Sequence, residues 1–326
     1  MGFLMGLDIG GTKCAVLLAE YESGAQDVRF LGRVEIPTVS ASSPDEMIEK
    51  LCARGAGLLE ENGIPASKLK GVGISCGGPL DSRRGVILSP PNLPGWDEVE
   101  IVKQTEAYFH VPAKLVNDAN AGALAEWKFG SGRGADSLVF LTLGTGCGSG
   151  LILNGRLYEG ATDNAGECGH IRLEKYGPPG YGKCGSMEGF CSGGGIARQG
   201  VLTGTAYMQA GRETALAPYI AEGTLTARII ADAARAGDQA AREVFRTAGR
   251  QLGRGLAVLI DLLDPECIVM GGMYMRCRDL LEEEMDRAIR EECLPIPAGN
   301  CRIIPASLGE RIGDYAAVAA ALYAGG

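Results

Sequence analysis

Short apolar runs end in glycine at several places along the chain, and between them lie longer stretches whose apolar residues fall three or four apart. Residues 3–8 (FLMGLD) and 14–19 (CAVLLA) flank IGGTK, the pattern of a strand hairpin closed by a glycine-rich turn. A third strand is expected over 28–36. Residues 43–63 read as a helix with Ser43 as N-cap, Pro44 in the first turn and Met47, Leu51, Leu58 and Leu59 at helical spacing. Residues 69–79 then read as a buried strand ending in a Gly-Gly-Pro turn. Residues 113–118 form a further strand, followed by a helix over 119–129.

The pattern restarts after that helix. Residues 137–160 again read strand, glycine turn, strand and a further turn. Helices are expected over 194–202, 225–236, 239–263 and 275–292, strands over 267–272 and 301–307, and an alanine-rich helix over 314–324. Asp8-Ile-Gly-Gly-Thr12 and Gly144-Thr-Gly-Cys-Gly148 are one device used in two halves. A length of 326 residues suits two domains. The expected architecture is two α/β domains facing a cleft. One spans 1–117 and is completed by a C-terminal helix over 312–326; the other spans 118–311.

Composition narrows the function classes. Apolar residues make up 46% and charged residues 22%, ordinary for a globular chain, and no apolar run approaches the ~20 residues of a membrane span. The N-terminus lacks the basic region and cleavage site of a signal peptide, so a cytoplasmic protein with no membrane partner is expected. A net charge of −9 argues against nucleic acid, whose binding rests on Lys and Arg against phosphate. The 11 cysteines are odd in number and mostly sit in apolar segments, as Cys14, Cys52 and Cys267 do; buried, reduced thiols are the expectation. Glycine is the outlier at 50 residues, clustered where strands turn and a backbone must approach something closely.

Two Gly/Thr turns between strands can present backbone N–H groups to phosphate oxygens. Neither is a Walker A loop or the G-x-G-x-x-G of a dinucleotide fold. Asp118, where a strand meets a helix, reads either as a helix N-cap or as a carboxylate accepting the proton of an attacking hydroxyl. Asp8, beside the first turn, is a candidate ligand for Mg2+ through water. Glu167, His170 and Glu188 suit a polyol, whose hydroxyls they can orient. Asn92 sits on a proline-constrained loop, and nearby Trp96 is expected in the core. Residues 170–195 add a histidine followed by a C-x6-C pair among glycines.

Together these pieces resemble the ROK family of sugar kinases, repressors and related proteins, part of the larger group with the actin-like, ribonuclease H-like and hexokinase-type ATPase fold. The resemblance covers nearly the whole chain. LDIGGTK (7–13) is similar to the family's first phosphate motif and implies that Asp8, Gly10, Gly11, Thr12 and Lys13 face the nucleotide. LTLGTGCGSGLILNG (141–155) is similar to its second and implies Gly144, Thr145 and Gly146. DPECIVMGG (264–272) is similar to the adenosine-side strand and implies Gly271 and Gly272. VNDANA (116–121) matches the segment of the catalytic aspartate, implying Asp118. GECGH (166–170) and GSMEGFCSGG (185–194) imply sugar contacts by Glu167, His170 and Glu188, with Gly78, Asn92 and Asn117 as further contacts.

The resemblance implies ATP and Mg2+ in the cleft, transfer of the γ-phosphoryl group to a hexose hydroxyl with Asp118 as base, and domain closure that excludes water. O6 of glucose is the expected acceptor, with N-acetylglucosamine or N-acetylmannosamine as the alternative. A homodimer or homotetramer is implied in the same way. Repressors of the family carry a DNA-binding segment before the first phosphate motif, which here begins at Leu7; that reading and a non-catalytic sugar sensor rank below a kinase.

The chain departs from the family at one place. Relatives commonly follow the histidine with C-x-C-G-x2-G-C, a structural zinc site. Here Ser186 stands where the last of those cysteines belongs, Cys184 lies within the loop and Cys191 beyond it. A structural zinc takes about four N/S ligands. No zinc is expected, and the loop is expected to be held by Tyr181, Phe190 and the Pro178-Pro179 turn.

Overall fold

The first apolar run forms β1 (Gly2–Ile9), which pairs antiparallel with β2 (Lys13–Tyr21), Ile9 opposite Cys14, so the hairpin closes across the glycine turn. The computed structural model describes residues 2–22 and 27–324. β3 (Arg29–Pro37), β4 (Leu69–Cys76) and β5 (Ala113–Asn117) complete a sheet in the order β3-β2-β1-β4-β5, with β4 parallel to both β1 and β5. Alternation along β1 sends Met5, Leu7 and Ile9 into a core shared with Leu51, Ile74, Trp96 and Phe109. Gly6 faces the other way, where a Cβ would come within 2.7 Å of Ala317 on the C-terminal helix (Ile312–Ala324).

Helix α1 (Pro44–Glu61) starts as its sequence requires: the Ser43 side chain accepts the Glu46 N–H at 3.2 Å and Pro44 occupies the first turn. Helix α2 (Ile101–Phe109) was not expected. Its inward stripe of Ile101, Thr105 and Phe109 has a polar centre, because the buried Thr105 hydroxyl donates to the Ile101 carbonyl at 2.7 Å, and no side chain caps its start. Helix α3 (Asp118–Lys128) packs against the C-terminal helix.

The second sheet repeats the device. β6 (Leu138–Leu143), β7 (Cys147–Leu153), β8 (Arg156–Leu157), β9 (Cys267–Gly272) and β10 (Arg302–Pro305) lie in the order β8-β7-β6-β9-β10, with β6, β9 and β10 parallel. Its helices include α4 (Met187–Cys191), α5 (Gly193–Gln209), α6 (Ala217–Glu222), α7 (Ala227–Arg235), α8 (Gln239–Leu263) and α9 (Tyr274–Glu292), and a short helix follows at Pro295–Asn300. α4 and α6 are short and went unread in the sequence. α5 runs on to Gln209, past the expected end at 202.

The chain divides into two units, residues 1–135, 150–165 and 307–326 in the first and residues 136–149 and 166–306 in the second. Against the expected boundary after 117, α3 and residues 150–165 lie with the first unit. Packing explains this: a Cβ at Gly150 would lie 2.7 Å from the Ala123 Cβ, and α3 rests on the C-terminal helix. The buried Glu126 carboxylate on α3 accepts the N–H groups of Ser131 (2.8 Å), Ser307 (3.0 Å) and Leu308 (3.0 Å), close to where the chain leaves the first unit and returns to it. All eleven cysteines are free thiols, most of them buried. Among the described residues no helix is long and apolar enough to cross a membrane.

Candidate active site

In the first unit the turn after β1 is held by its carbonyls. The Thr38 hydroxyl donates to the Gly10 carbonyl at 2.6 Å, and the Thr38 N–H donates to the Thr12 carbonyl at 3.0 Å. Those bonds fix the shape of the turn, and backbone amides of a glycine turn are groups that bind phosphate. Gly11 must lack a side chain, because a Cβ there would overlap the Asn92 backbone carbonyl. The Lys13 ammonium pairs with Glu35, which also pairs with Arg33 at 2.8 Å. The Lys13 side chain is thus engaged along the sheet surface.

The start of α3 separates two roles that its sequence left open. Asn117 is the N-cap: its Oδ1 accepts the N–H groups of Ala119 (3.0 Å) and Asn120 (3.4 Å). Asp118 is the first helical residue, and its Oδ1 accepts the Ala119 N–H at 2.8 Å. Its Oδ2 lies 3.9 Å from the point where a Gly77 Cβ would sit, and both amide atoms of Asn92 lie 3.7 Å from the same point. Gly78 has the Asn117 Nδ2 at 3.3 Å from its own Cβ position. The Gly77-Gly78 turn therefore gathers Asn92, Asn117 and Asp118, three of the expected residues. Since Asn117 commits its oxygen to the cap, it offers a ligand its amide N–H groups only.

Asp118 is open to solvent, yet the protein around it raises its carboxyl above the usual range, against the lowering effect of the Ala119 N–H. Asp8, half-buried in β1, is pushed up to about 6, first by burial, then by the charges of Asp314 and Asp118, with Arg33 and Lys13 opposing. A carboxyl raised by burial and by neighbouring carboxylates is one whose charge a divalent cation would favour, and Asp8 fits Mg2+ on that ground.

In the second unit the turn between β6 and β7 is also pinned by its carbonyls, here from the start of α5. Gly193 N–H donates to Gly144 O at 2.8 Å and Gly194 N–H to Thr145 O at 3.4 Å. A cavity of about 970 Å3 opens beside it, lined among others by Thr145, Gly194, Leu225, Arg235, Met273 and Arg276. Gly272, with φ +69°, ends β9 where a Cβ would overlap the Leu143 carbonyl, and it hands the chain to Met273 on the cavity wall. Gly271 packs on the Phe140 ring beneath. Mixed apolar and arginine lining of this size suits a nucleotide. The α7 and α9 residues in that wall had no signal in the sequence, being scattered polar positions on helix faces. The Gly193-Gly194-Gly195 run was the one visible trace of α5's part.

Glu167 is exposed and precedes a short 3-10 turn over Cys168–His170. The His170 ring is half-buried and stands edge-on to Tyr181 at 5.2 Å, while Lys183 donates to the His170 carbonyl. Glu188 lies in α4, whose N-cap Ser186 accepts the Gly189 N–H at 3.2 Å. The Glu188 Oε2 accepts the Cys147 N–H at 3.1 Å, which ties this carboxylate to the second glycine turn.

The loop between His170 and Glu188 is a small hairpin, Pro179–Gly180 against Lys183–Cys184. Phe190 packs beneath Gly177, and Gly185 N–H donates to the Pro178 carbonyl at 3.2 Å. Its cysteines go separate ways: Cys184 is exposed, while Cys191 is buried with its thiol donating to the Ala248 carbonyl at 3.7 Å.

Residues 4–323 match the profile described as the ROK family. The chain belongs to the ROK family. This ROK chain is 31% identical over 321 residues to a glucokinase of Streptomyces coelicolor, covering 96% of this chain and 95% of that one. It is likewise 31% identical over 271 residues to an N-acetylmannosamine kinase of Escherichia coli O9:H4, covering 82% of each. Among solved structures, a ROK family glucokinase from Streptomyces griseus in complex with glucose and AMPPNP superposes with a TM-score of 0.72 at 30% identity, covering 99% of this chain and all of that one. The two-sheet α/β architecture is therefore the ROK form of the actin-like ATPase fold.

Proposed function

We propose that this ROK protein is an ATP-dependent sugar kinase that transfers the γ-phosphoryl group to a hexose hydroxyl, O6 of glucose. The observation that carries the reading is the division of labour at α3. Asn117 caps the helix, and Asp118 turns an oxygen toward the Gly77-Gly78 turn and Asn92. In the reaction the hydroxyl oxygen attacks the γ-phosphorus as the bond to the bridging oxygen breaks. ADP leaves, and the hydroxyl proton passes to the Asp118 carboxylate. A base of modest strength suffices when it is well aimed, because the transfer depends mostly on positioning and charge stabilisation.

Backbone amides of the two glycine turns would hold phosphate oxygens, and the second unit's cavity would take the nucleoside. Asp8 would hold Mg2+ through water, and the cation would neutralise charge on the phosphates when bound. Glu167, His170 and Glu188 would orient the sugar hydroxyls, joined by Asn92 and Asn117. N-acetylmannosamine is the second reading for the acceptor, favoured by the 31% identity to a kinase of that name.

A coupled assay of ADP release across hexoses and N-acetylhexosamines tests the reading; no turnover with any of them would overturn it. Asp118→Asn should lower kcat by at least about 10³-fold, within the range a positioned base and its alignment supply, while sugar affinity stays nearly unchanged. Retained turnover would remove Asp118 from the base role.

A further inference from the structure

The second glycine turn carries a relation to Glu188 that phosphate binding alone does not explain. Gly146 has an ordinary backbone, outside the positive-φ region. Its Cβ position nevertheless meets the Glu188 carboxyl, with Oε2 at 2.8 Å and Cδ at 3.6 Å and no other atom within 4 Å. The next amide, Cys147 N–H, holds that same Oε2 at 3.1 Å. We infer that Gly146 and the Cys147 amide are positioning groups for the hexose: the missing side chain leaves room for the Glu188 carboxylate and the amide fixes one of its oxygens, aiming the other at the sugar. The inference rests on the reading of Glu188 as a hexose ligand.

Neither the turn nor the backbone of Glu188 can shift to relieve a clash. The turn is pinned through Gly144 O and Thr145 O by the amides of Gly193 and Gly194. The Glu188 carbonyl accepts the Ser192 N–H at 3.1 Å and lies 2.7 Å from the Cβ position of Gly195. A methyl group at residue 146 would therefore displace the free end of the Glu188 side chain. Gly144, two residues earlier, is the contrast, since its Cβ position meets nothing within 4 Å.

Titration calorimetry with glucose, with N-acetylmannosamine and separately with AMPPNP tests this. G146A should fold with a near wild-type melt and weaken binding of the accepted sugar by about ten-fold or more, in line with the cost of a misplaced positioning group. Its AMPPNP affinity should change by less than about three-fold, and G144A should leave sugar affinity within about two-fold. In an E188A background the penalty of G146A on sugar binding should vanish, because the methyl then has no carboxylate to move.

A loss of AMPPNP affinity equal to or larger than that of the sugar would overturn the inference. An equal sugar penalty in G144A, a G146A chain that does not fold, or a penalty undiminished without Glu188 would do the same. If E188A alone left sugar affinity unchanged, the ligand reading of Glu188 would fall, and the inference with it. Weak sugar binding in E188A beside normal binding in G146A would sink only the positioning role.

Discussion

Asn117 and Asp118 are neighbours of similar shape, and either could cap a helix. Nothing in their order says which one does. The backbone decides, because the cap residue is the one left outside helical geometry, and that is Asn117. Asp8 was legible as an acid beside a glycine turn; its raised carboxyl was not, since it depends on burial in the fold and then on Asp314, more than 300 residues away in sequence.

A folded-state pKa raised from 3.8 to about 6 means that the unfolded chain releases this proton first as pH rises. Asp8 thus lowers stability progressively between about pH 4 and pH 6, and the cost persists above that window. Asp8→Asn should therefore stabilise the Mg2+-free protein at pH 7.5 by on the order of 1–2 kcal/mol, discounted for partial exposure, while lowering kcat. Thermal melts at pH 4 and pH 7.5 check it: the gain should be nearly absent at the lower pH. A variant no more stable at pH 7.5 would count against the raised Asp8 carboxyl.

At the level of elements, periodicity read the long pieces well because α1, α8 and the strand hairpins bury regular apolar stripes. It failed at α2, where Thr105 interrupts the stripe, and at α4, whose single turn is too short to show a period. The hairpin between His170 and Glu188 was legible mainly as a departure from relatives. What the cysteine pattern could not show is that backbone bonds hold it, among them Leu173 N–H to Gly185 O at 2.8 Å and Met187 N–H to Ile171 O at 2.9 Å. Purified protein is expected to contain well under one zinc per chain and to melt at the same temperature after dialysis against a chelator. Stoichiometric zinc, or a chelator-induced fall in melting temperature, would show that this loop uses a metal after all.

For the molecule as a whole, the alternating pattern announced two α/β halves but not how the chain is shared between them. The C-terminal helix was visible as an alanine-rich run; that alanine meets glycine across the sheet could be seen only in space. A Cβ at Gly73 in β4 would overlap the backbone of Ala317 and Ala321 and lie 2.9 Å from the Ala320 carbonyl carbon. Backbone on both sides cannot yield, so Gly73→Ala should cost about 3 kcal/mol in denaturant unfolding, at the upper end for overpacking. Gly57→Ala, in α1 with nothing within 4 Å, should instead stabilise by about 0.5–1 kcal/mol.

The interleaved division of the chain also sets an order of events during synthesis. The second unit has its entire sequence once residue 306 has emerged from the ribosome, whereas the first still lacks the helix that covers one face of its sheet. Domains usually mature from the N-terminus as they are made. Here the unit that begins first is completed after the second, and a nascent chain leaves one face of its N-terminal sheet uncovered until residues 312–324 have emerged.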